Sequence, residues 1–219
     1  MNGDKEIFGR ILNRILEDKR KDFPYIIGIN GIDTSGKTFF TEKLEEFLSE
    51  KEIKVQCIHG DDFHFPKKIR YEGDNESYNY FYKSFDFEKM IREILSPVKK
   101  GEKVEKELVL LNLETDMYSL RKNYSIDSGT IVLLEGVFLF QEKLIPYIDL
   151  KIFLSIDFDI CLERAKKRDL SILKDDVERK YRDKYIPAQK LYIQDYKPLD
   201  IAEIVIDNKD YFNPRLLKQ

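Results

Sequence analysis

At 219 residues, 42% hydrophobic and 36% charged, the chain can bury a substantial core as one globular unit. A net charge of −3 excludes both the imbalance typical of disorder and the broad basic field of a nucleic-acid binder. No apolar run reaches the ~20 residues of a membrane span, and the charged N-terminus does not read as a signal peptide.

In chain order, Phe8, Ile11, Leu12, Ile15 and Leu16 fall at helical spacing, and Phe23-Pro24 breaks that helix. Tyr25 to Ile29 is a short isoleucine-rich run that suits a buried strand. Phe39, Phe40, Leu44, Phe47 and Leu48 predict a helix over Thr38 to Leu48, and Lys54 to Ile58 a second strand. Asp86 caps a predicted helix carrying Phe87, Met90, Ile91, Ile94 and Leu95, ended by Pro97 and Gly101. Leu108 to Leu113, Ile131 to Leu134 and Leu150 to Leu154 are further apolar runs, with a short helix expected over Val137 to Ile145. Asp159 to Arg168 and Val177 to Ile193 read as helices and Ala202 to Ile206 as a closing strand. Strands alternating with helices predict an α/β fold of three layers, a mostly parallel sheet covered on both faces. The isolated Cys57 and Cys161 lie in apolar segments and read as two buried thiols. The expected setting is cytoplasmic.

Gly31-Ile32-Asp33-Thr34-Ser35-Gly36-Lys37-Thr38 fits the phosphate-binding pattern G-x-x-x-x-G-K-[ST]. Such a loop turns successive backbone N–H groups inward around a phosphate, and the following helix offers its positive end. Lys37 can then bridge the β- and γ-phosphates of ATP, while the Thr38 hydroxyl can ligate Mg²⁺. An ordinary glycine turn is the bland reading, but the match sits between a predicted strand and a predicted helix, where a P-loop belongs. A GTPase would carry N-K-x-D near its end, and Asn208-Lys209-Asp210 has its Asp one position early. The signature loop of transporter ATPases is absent as well.

His59-Gly60-Asp61-Asp62-Phe63-His64-Phe65-Pro66 follows the second strand, on the side where ligands bind in such sheets. A carboxylate there can accept the proton of an attacking hydroxyl, although an Asx turn with solvated aspartates would look the same. Glu135 closes the run Ile131 to Leu134, either as a strand-end residue or where Mg²⁺ would want a carboxylate. Arg164 and Arg168 share a helix face, either a solvated basic face or a nucleotide lid. The aromatic residues between Phe63 and Tyr82 are either core or a wall for stacking a base. His59 reads as structural.

Together these motifs resemble the uridine kinase and nicotinamide riboside kinase group of P-loop nucleoside kinases, within the phosphoribulokinase/uridine kinase superfamily. The resemblance runs from Tyr25 to Asp207. GDDFHFP is similar to that group's D-[DSG]-[FY] loop, which implies Asp61 as catalytic base with Asp62, Phe63 and His64 beside the acceptor. Leu133-Leu134-Glu135-Gly136-Val137-Phe138-Leu139-Phe140 resembles its L-[IV]-E-G-x-x-L-[FL] segment and implies a magnesium-supporting role for Glu135. Arg164-Ala165-Lys166-Lys167-Arg168-Asp169 resembles its R-x-x-x-R-D lid. Tyr181 with Pro187, and Ala202-Glu203-Ile204-Val205-Ile206, resemble its Y-x5-P and A-D-[IV]-[IV]-I tail.

Thr115 to Arg121 is similar to the stretch that holds ribose and base, which implies substrate contacts from Asp116 and Arg121. Ser119 stands where relatives have a base-reading His, so the ring is left open. The expectation is a P-loop NTPase fold over residues 1–219, with 60–85 as substrate lobe and 159–182 as lid. It would use ATP and Mg²⁺ to phosphorylate a primary hydroxyl of a small molecule, first among them the 5′-hydroxyl of uridine or cytidine. Nicotinamide riboside and pantothenate are alternatives, and a catalytically silent nucleotide-binding regulator is the rival of another class. No nucleic-acid or membrane partner is expected, and self-association into a homo-oligomer stays open.

Overall fold

The computed structural model describes residues 3–18, 23–173 and 176–219; for residue 3 and residues 169–173 only the helical placement is described. The central sheet has the order β2-β5-β1-β6-β7-β8, built from Tyr25–Gly31 (β1), Val55–His59 (β2), Ile131–Gly136 (β5), Leu150–Ser155 (β6), Ile204–Asp207 (β7) and Arg215–Lys218 (β8). All pairings are parallel except β7 with β8. The mostly parallel α/β arrangement expected from the sequence is the one observed.

Every residue of β1 and β5 is buried, as continuous apolar runs demand in a sheet covered on both faces. Side chains alternate between two cores. Ile27, Ile29, Leu133, Ile152 and Ile206 face the helices Gly3–Asp18 and Lys37–Ser49 through Phe8, Ile11, Ile15, Phe40, Leu44 and Leu48. Ile26, Val132, Leu134, Phe153 and Val205 face the other way, onto Phe138, Phe140, Ala188 and Tyr192.

Several expectations need correction. Leu108 to Leu113 falls mostly in Val104–Asn112 (β3), which pairs antiparallel with Met117–Ile126 (β4) outside the main sheet. Val137 to Ile145 forms no helix beyond a 3₁₀ turn at Ile145–Tyr147. Residues 137–140 are all buried, Phe138 has φ 60, and the Phe140 N–H donates to the Tyr192 hydroxyl at 2.9 Å. The segment thus satisfies its backbone with a side chain and has no polar face for a helix to show.

Asp86 caps its helix as expected, accepting from the Lys89 N–H at 2.9 Å. That helix continues through Pro97 to Lys99, and a π-helical stretch at Ile91–Leu95 precedes the proline. The same device recurs at Tyr181–Tyr185, ahead of Pro187 and the helix Ile186–Tyr196. Widening the turn lets a helix pass a proline that lacks an N–H and would crowd the carbonyl four residues back.

Residues 60–85 leave the sheet and return to their root: Phe65 N–H donates to Ser84 at 2.9 Å and Asp86 N–H to Phe63 at 2.7 Å. Between lie the short helices Lys67–Arg70 and Glu76–Tyr82. Of the aromatic residues, Phe63, Tyr80, Phe81 and Phe85 are core, while Tyr71, Tyr78 and Tyr82 are exposed.

Candidate active site

The P-loop runs from the carboxyl end of β1 into the Lys37–Ser49 helix. Its glycines are required. A Cβ on Gly31 would meet Ser35 Oγ at 2.5 Å and the Leu154 carbonyl at 2.7 Å, and Gly36 has φ 87 with Asn208 Nδ2 2.8 Å from such a Cβ. The Asn208 amide donates to the Ser35 carbonyl at 2.6 Å, fastening the loop to the end of β7. Arg164 fastens its other side, donating to the carbonyls of Thr34 at 3.1 Å, Asn208 at 2.9 Å and Lys209 at 2.8 Å. Below the loop, Ile32 packs with Cys161, Ala165, Val177 and Tyr181, so loop and candidate lid share one small core.

Asp33, Thr34, Gly36, Lys37, Thr38, Asp61, Glu135, Arg164 and Arg168 all line one cleft of about 480 Å³. Three strand ends deliver its chemistry: β1 the P-loop, β2 the 3₁₀ turn Gly60–Asp62, and β5 Glu135. The Lys37 ammonium donates to the Ile32 carbonyl at 2.9 Å, inside its own loop. Register puts His59 opposite Glu135, and His59 Nδ1 lies 2.8 Å from Glu135 Oε1. That hydrogen bond raises the histidine pKa against the opposing effect of its burial. The Glu135 carboxylate on the cleft lining is therefore oriented by a neighbour that donates to it.

Asp33 accepts from the Tyr80 hydroxyl at 3.0 Å and from Gln189 Nε2 at 3.1 Å. Loss of solvent raises the pKa of its carboxyl, opposed by Lys37, with the charge of Asp61 adding to the rise. The buried Tyr80 hydroxyl thus has the partner it needs, and the 60–85 segment is tied to the P-loop through it. Arg168 donates to the Tyr181 hydroxyl at 3.1 Å. Of the candidate lid 159–182, residues 174–175 lie outside the described residues, as does the side chain of Asp169.

Other sequence candidates lie away from the cleft lining. Ile32 and Ser35 are buried in the loop, and Phe63 is core. Asp62 pairs with Lys122 of β4 at 3.1 Å. His64 Nδ1 lies 2.6 Å from the Asp61 carbonyl. Asp116, at φ 57 in the turn between β3 and β4, accepts from the Lys67 N–H at 2.8 and 3.1 Å. Arg121 is exposed on β4 and pairs with Glu107.

Sequence reasoning missed Tyr80 and Gln189 around Asp33, Asn208 behind Ser35, and the Tyr192 hydroxyl, which accepts from both Asn30 Nδ2 and Phe140 N–H. Only Asn208 carried a signal, as a polar residue closing the last parallel strand. Among the described residues, no three His, Cys, Asp or Glu side chains form a metal-holding group. None of the described helices is long and apolar enough to cross a membrane.

The chain is 28% identical over 150 residues to uridine-cytidine kinase A of Dictyostelium discoideum, covering 68% of this chain and 28% of that protein. It is 30% identical over 150 residues to the uridine kinase of Ureaplasma parvum, covering 68% of this chain and 70% of that protein. Against the first relatives it matches, it spans 28 to 59% of their length. A solved structure described as a possible uridine kinase from Bacillus stearothermophilus superposes with a TM-score of 0.73 at 23% identity, covering 92% of this chain and 97% of that one. The phosphoribulokinase/uridine kinase family model matches residues 26–194, and the chain belongs to that family.

Proposed function

We propose that this chain transfers the γ-phosphoryl group of ATP to a hydroxyl of a small metabolite. The observation that carries the reading is the convergence of Lys37, Thr38, Asp61 and Glu135 on one cleft at the carboxyl ends of β1, β2 and β5. P-loop amides and Lys37 hold the phosphates, with Arg164 and Arg168 on the lid side. Asp61 accepts the acceptor's hydroxyl proton as the new oxygen–phosphorus bond forms and the β–γ bridging bond breaks, releasing ADP. In a loose transition state positioning and charge lower the barrier most, and the base acts late.

The family implies Mg²⁺, and the donors present suit it. The Thr38 hydroxyl and the Glu135 carboxylate are hard oxygen ligands on the same cleft, and Mg²⁺ is usually held by one or two protein groups with phosphates and water. Bound there, it would offset the charge on the phosphate oxygens. A nucleotide-binding regulator would have no use for a carboxylate at the Asp61 position, so the kinase reading is preferred.

Uridine and cytidine, which the relatives' names suggest, are the first acceptors to test, followed by nicotinamide riboside and pantothenate. A cytoplasmic setting accompanies this reading. Coupled ADP-release assays over those acceptors, with Lys37→Ala as control, test it. Acceptor-dependent ADP release that vanishes in Lys37→Ala supports the proposal; release unaffected by that substitution refutes it.

A further inference from the structure

Lys184 lies in the π-helical stretch Tyr181–Tyr185 and is only 6% exposed. Its ammonium sits over three rings, 4.6 Å from the centroid of Tyr71, 5.1 Å from Tyr185 and 5.7 Å from Tyr80. Among the described residues it makes no hydrogen bond and no ion pair. Ring faces attract a cation but leave N–H donors unfilled. A largely buried ammonium that has ring faces but no anion beside it is open to an anionic ligand, which gains a charge-assisted contact there.

A second cation stands beside it. The Arg70 side chain is 12% exposed, its Nε is buried without a partner, and its guanidinium carbon lies 5.5 Å from the same Tyr71 ring. Its carboxylate contact, Asp116 Oδ1, is long at 3.4 Å, and Asp116 already takes two bonds from the Lys67 N–H. Neither cation lines the phosphate cleft itself, but both lie on the side of the 60–85 segment that packs against it. Burial lowers the His64 pKa, the charge and the carbonyl of Asp61 oppose that fall, and Arg70 and Lys184 add to it; His64 Nδ1 lies 2.6 Å from the Asp61 carbonyl. Tyr80, one of the three rings, donates to Asp33 of the P-loop.

We propose that Lys184 and Arg70 form an anion subsite for the phosphoryl acceptor, which makes that acceptor a hydroxylated carboxylate or a hydroxylated phosphate ester. The inference rests on the kinase reading above and narrows it away from neutral nucleosides. The anion supplies acceptors to the Lys184 ammonium and to Arg70 Nε and fixes the molecule at its far end, so that its free hydroxyl meets Asp61. A site built around such a pairing rejects neutral analogues by large factors, because they leave Arg70 Nε and the Lys184 ammonium without an acceptor.

The test is calorimetric titration of the full chain with a non-hydrolysable ATP analogue and Mg²⁺ present. The probes are glycerate and pantothenate as carboxylates, ribulose 5-phosphate as a phosphate ester, and glycerol and uridine as neutral counterparts. Any binder then enters steady-state ADP-release assays. At least one anionic probe should bind and be phosphorylated, and which one does separates carboxylate from phosphate. Lys184→Gln should raise its KM about thirtyfold or more with kcat within about threefold, Lys184→Arg should recover most of the loss, and the KM for ATP should hold. Binding of the nucleotide analogue with no anionic probe bound overturns the inference and leaves the kinase reading intact. So does turnover of uridine with a KM unchanged in Lys184→Gln. Failure of the wild-type chain to bind the nucleotide analogue sinks the kinase reading itself. The wild-type titrations decide the matter even if a variant fails to fold.

Discussion

The carboxylate of Asp62 lies 3.1 Å from the ammonium of Lys122 on β4. Asp61, one residue earlier in the same 3₁₀ turn, lines the phosphate cleft instead. Two adjacent aspartates are thus assigned different partners by one turn of backbone.

Their substitutions should separate. Asp61→Asn keeps size and removes the proposed base, so turnover should fall about a hundredfold or more while ATP still binds. Asp62→Asn loses a partly exposed ion pair, of the kind usually worth at most about 1 kcal/mol, and should keep most of the activity. Rates and nucleotide affinities of the two variants check this; a dead Asp62→Asn beside an active Asp61→Asn would reverse the assignment.

Lys37→Ala should cost about a hundredfold or more in turnover, the usual loss when a charge aimed at the transition state is removed. The fold should survive, because the ammonium's hydrogen bond goes to one carbonyl of its own loop. A circular-dichroism melt beside the ADP-release assay separates the two effects. A near wild-type rate would leave this lysine without its P-loop role.

The P-loop was legible because its glycines, lysine and threonine are fixed by spacing within eight residues, and β1 and β5 because a strand buried on both faces has to be apolar throughout. β4 was not: most of its residues are exposed or half-buried, and only Tyr124 and Ile126 are core, so no alternation announces it. Val137 to Phe140 misled for the opposite reason, being apolar and buried at every position. The partners of Asp33 come from Tyr80 and Gln189, and that of Ser35 from Asn208, across separations that spacing within one element cannot reveal. Asp116 and Arg121 illustrate a further limit. A motif can place residues near a site while their side chains serve the Lys67 backbone and Glu107.

Both thiols should be inert in the native protein. Burial pushes the Cys161 thiol up to about 11, and burial followed by its hydrogen bond to Glu45 pushes Cys57 up as well. At pH 8 a thiol of pKa about 11 is thiolate in roughly one molecule per thousand, and thiolate is the reactive form. Iodoacetamide at pH 8 should therefore label neither cysteine on the timescale that suffices for both in denaturant. Intact mass spectrometry reads the difference, and rapid native labelling of Cys161 would contradict its burial beneath the P-loop.

The Tyr192 hydroxyl joins two parts of the site that the sequence leaves far apart. It accepts from Asn30 Nδ2 just before the P-loop and, at 2.9 Å, from the Phe140 N–H that follows β5. Asn30 in turn accepts from the Gly31 N–H at 2.8 Å, so the chain of bonds ends in the phosphate loop. Tyr192→Phe preserves the ring contacts with Phe81 and Phe138 and deletes only the oxygen. Both donors are buried, and an unpaired buried donor costs about 1–3 kcal/mol. The variant should therefore lose about 2–4 kcal/mol, the low end applying if Asn30 turns to a new acceptor. For a chain of this size that is a Tm lower by roughly 5–15 °C. Nucleotide affinity should also drop, because Asn30 no longer holds the Gly31 N–H in place. A melt unchanged within about 1 °C would show that the hydroxyl's two bonds contribute nothing net, and that the ring alone holds this junction.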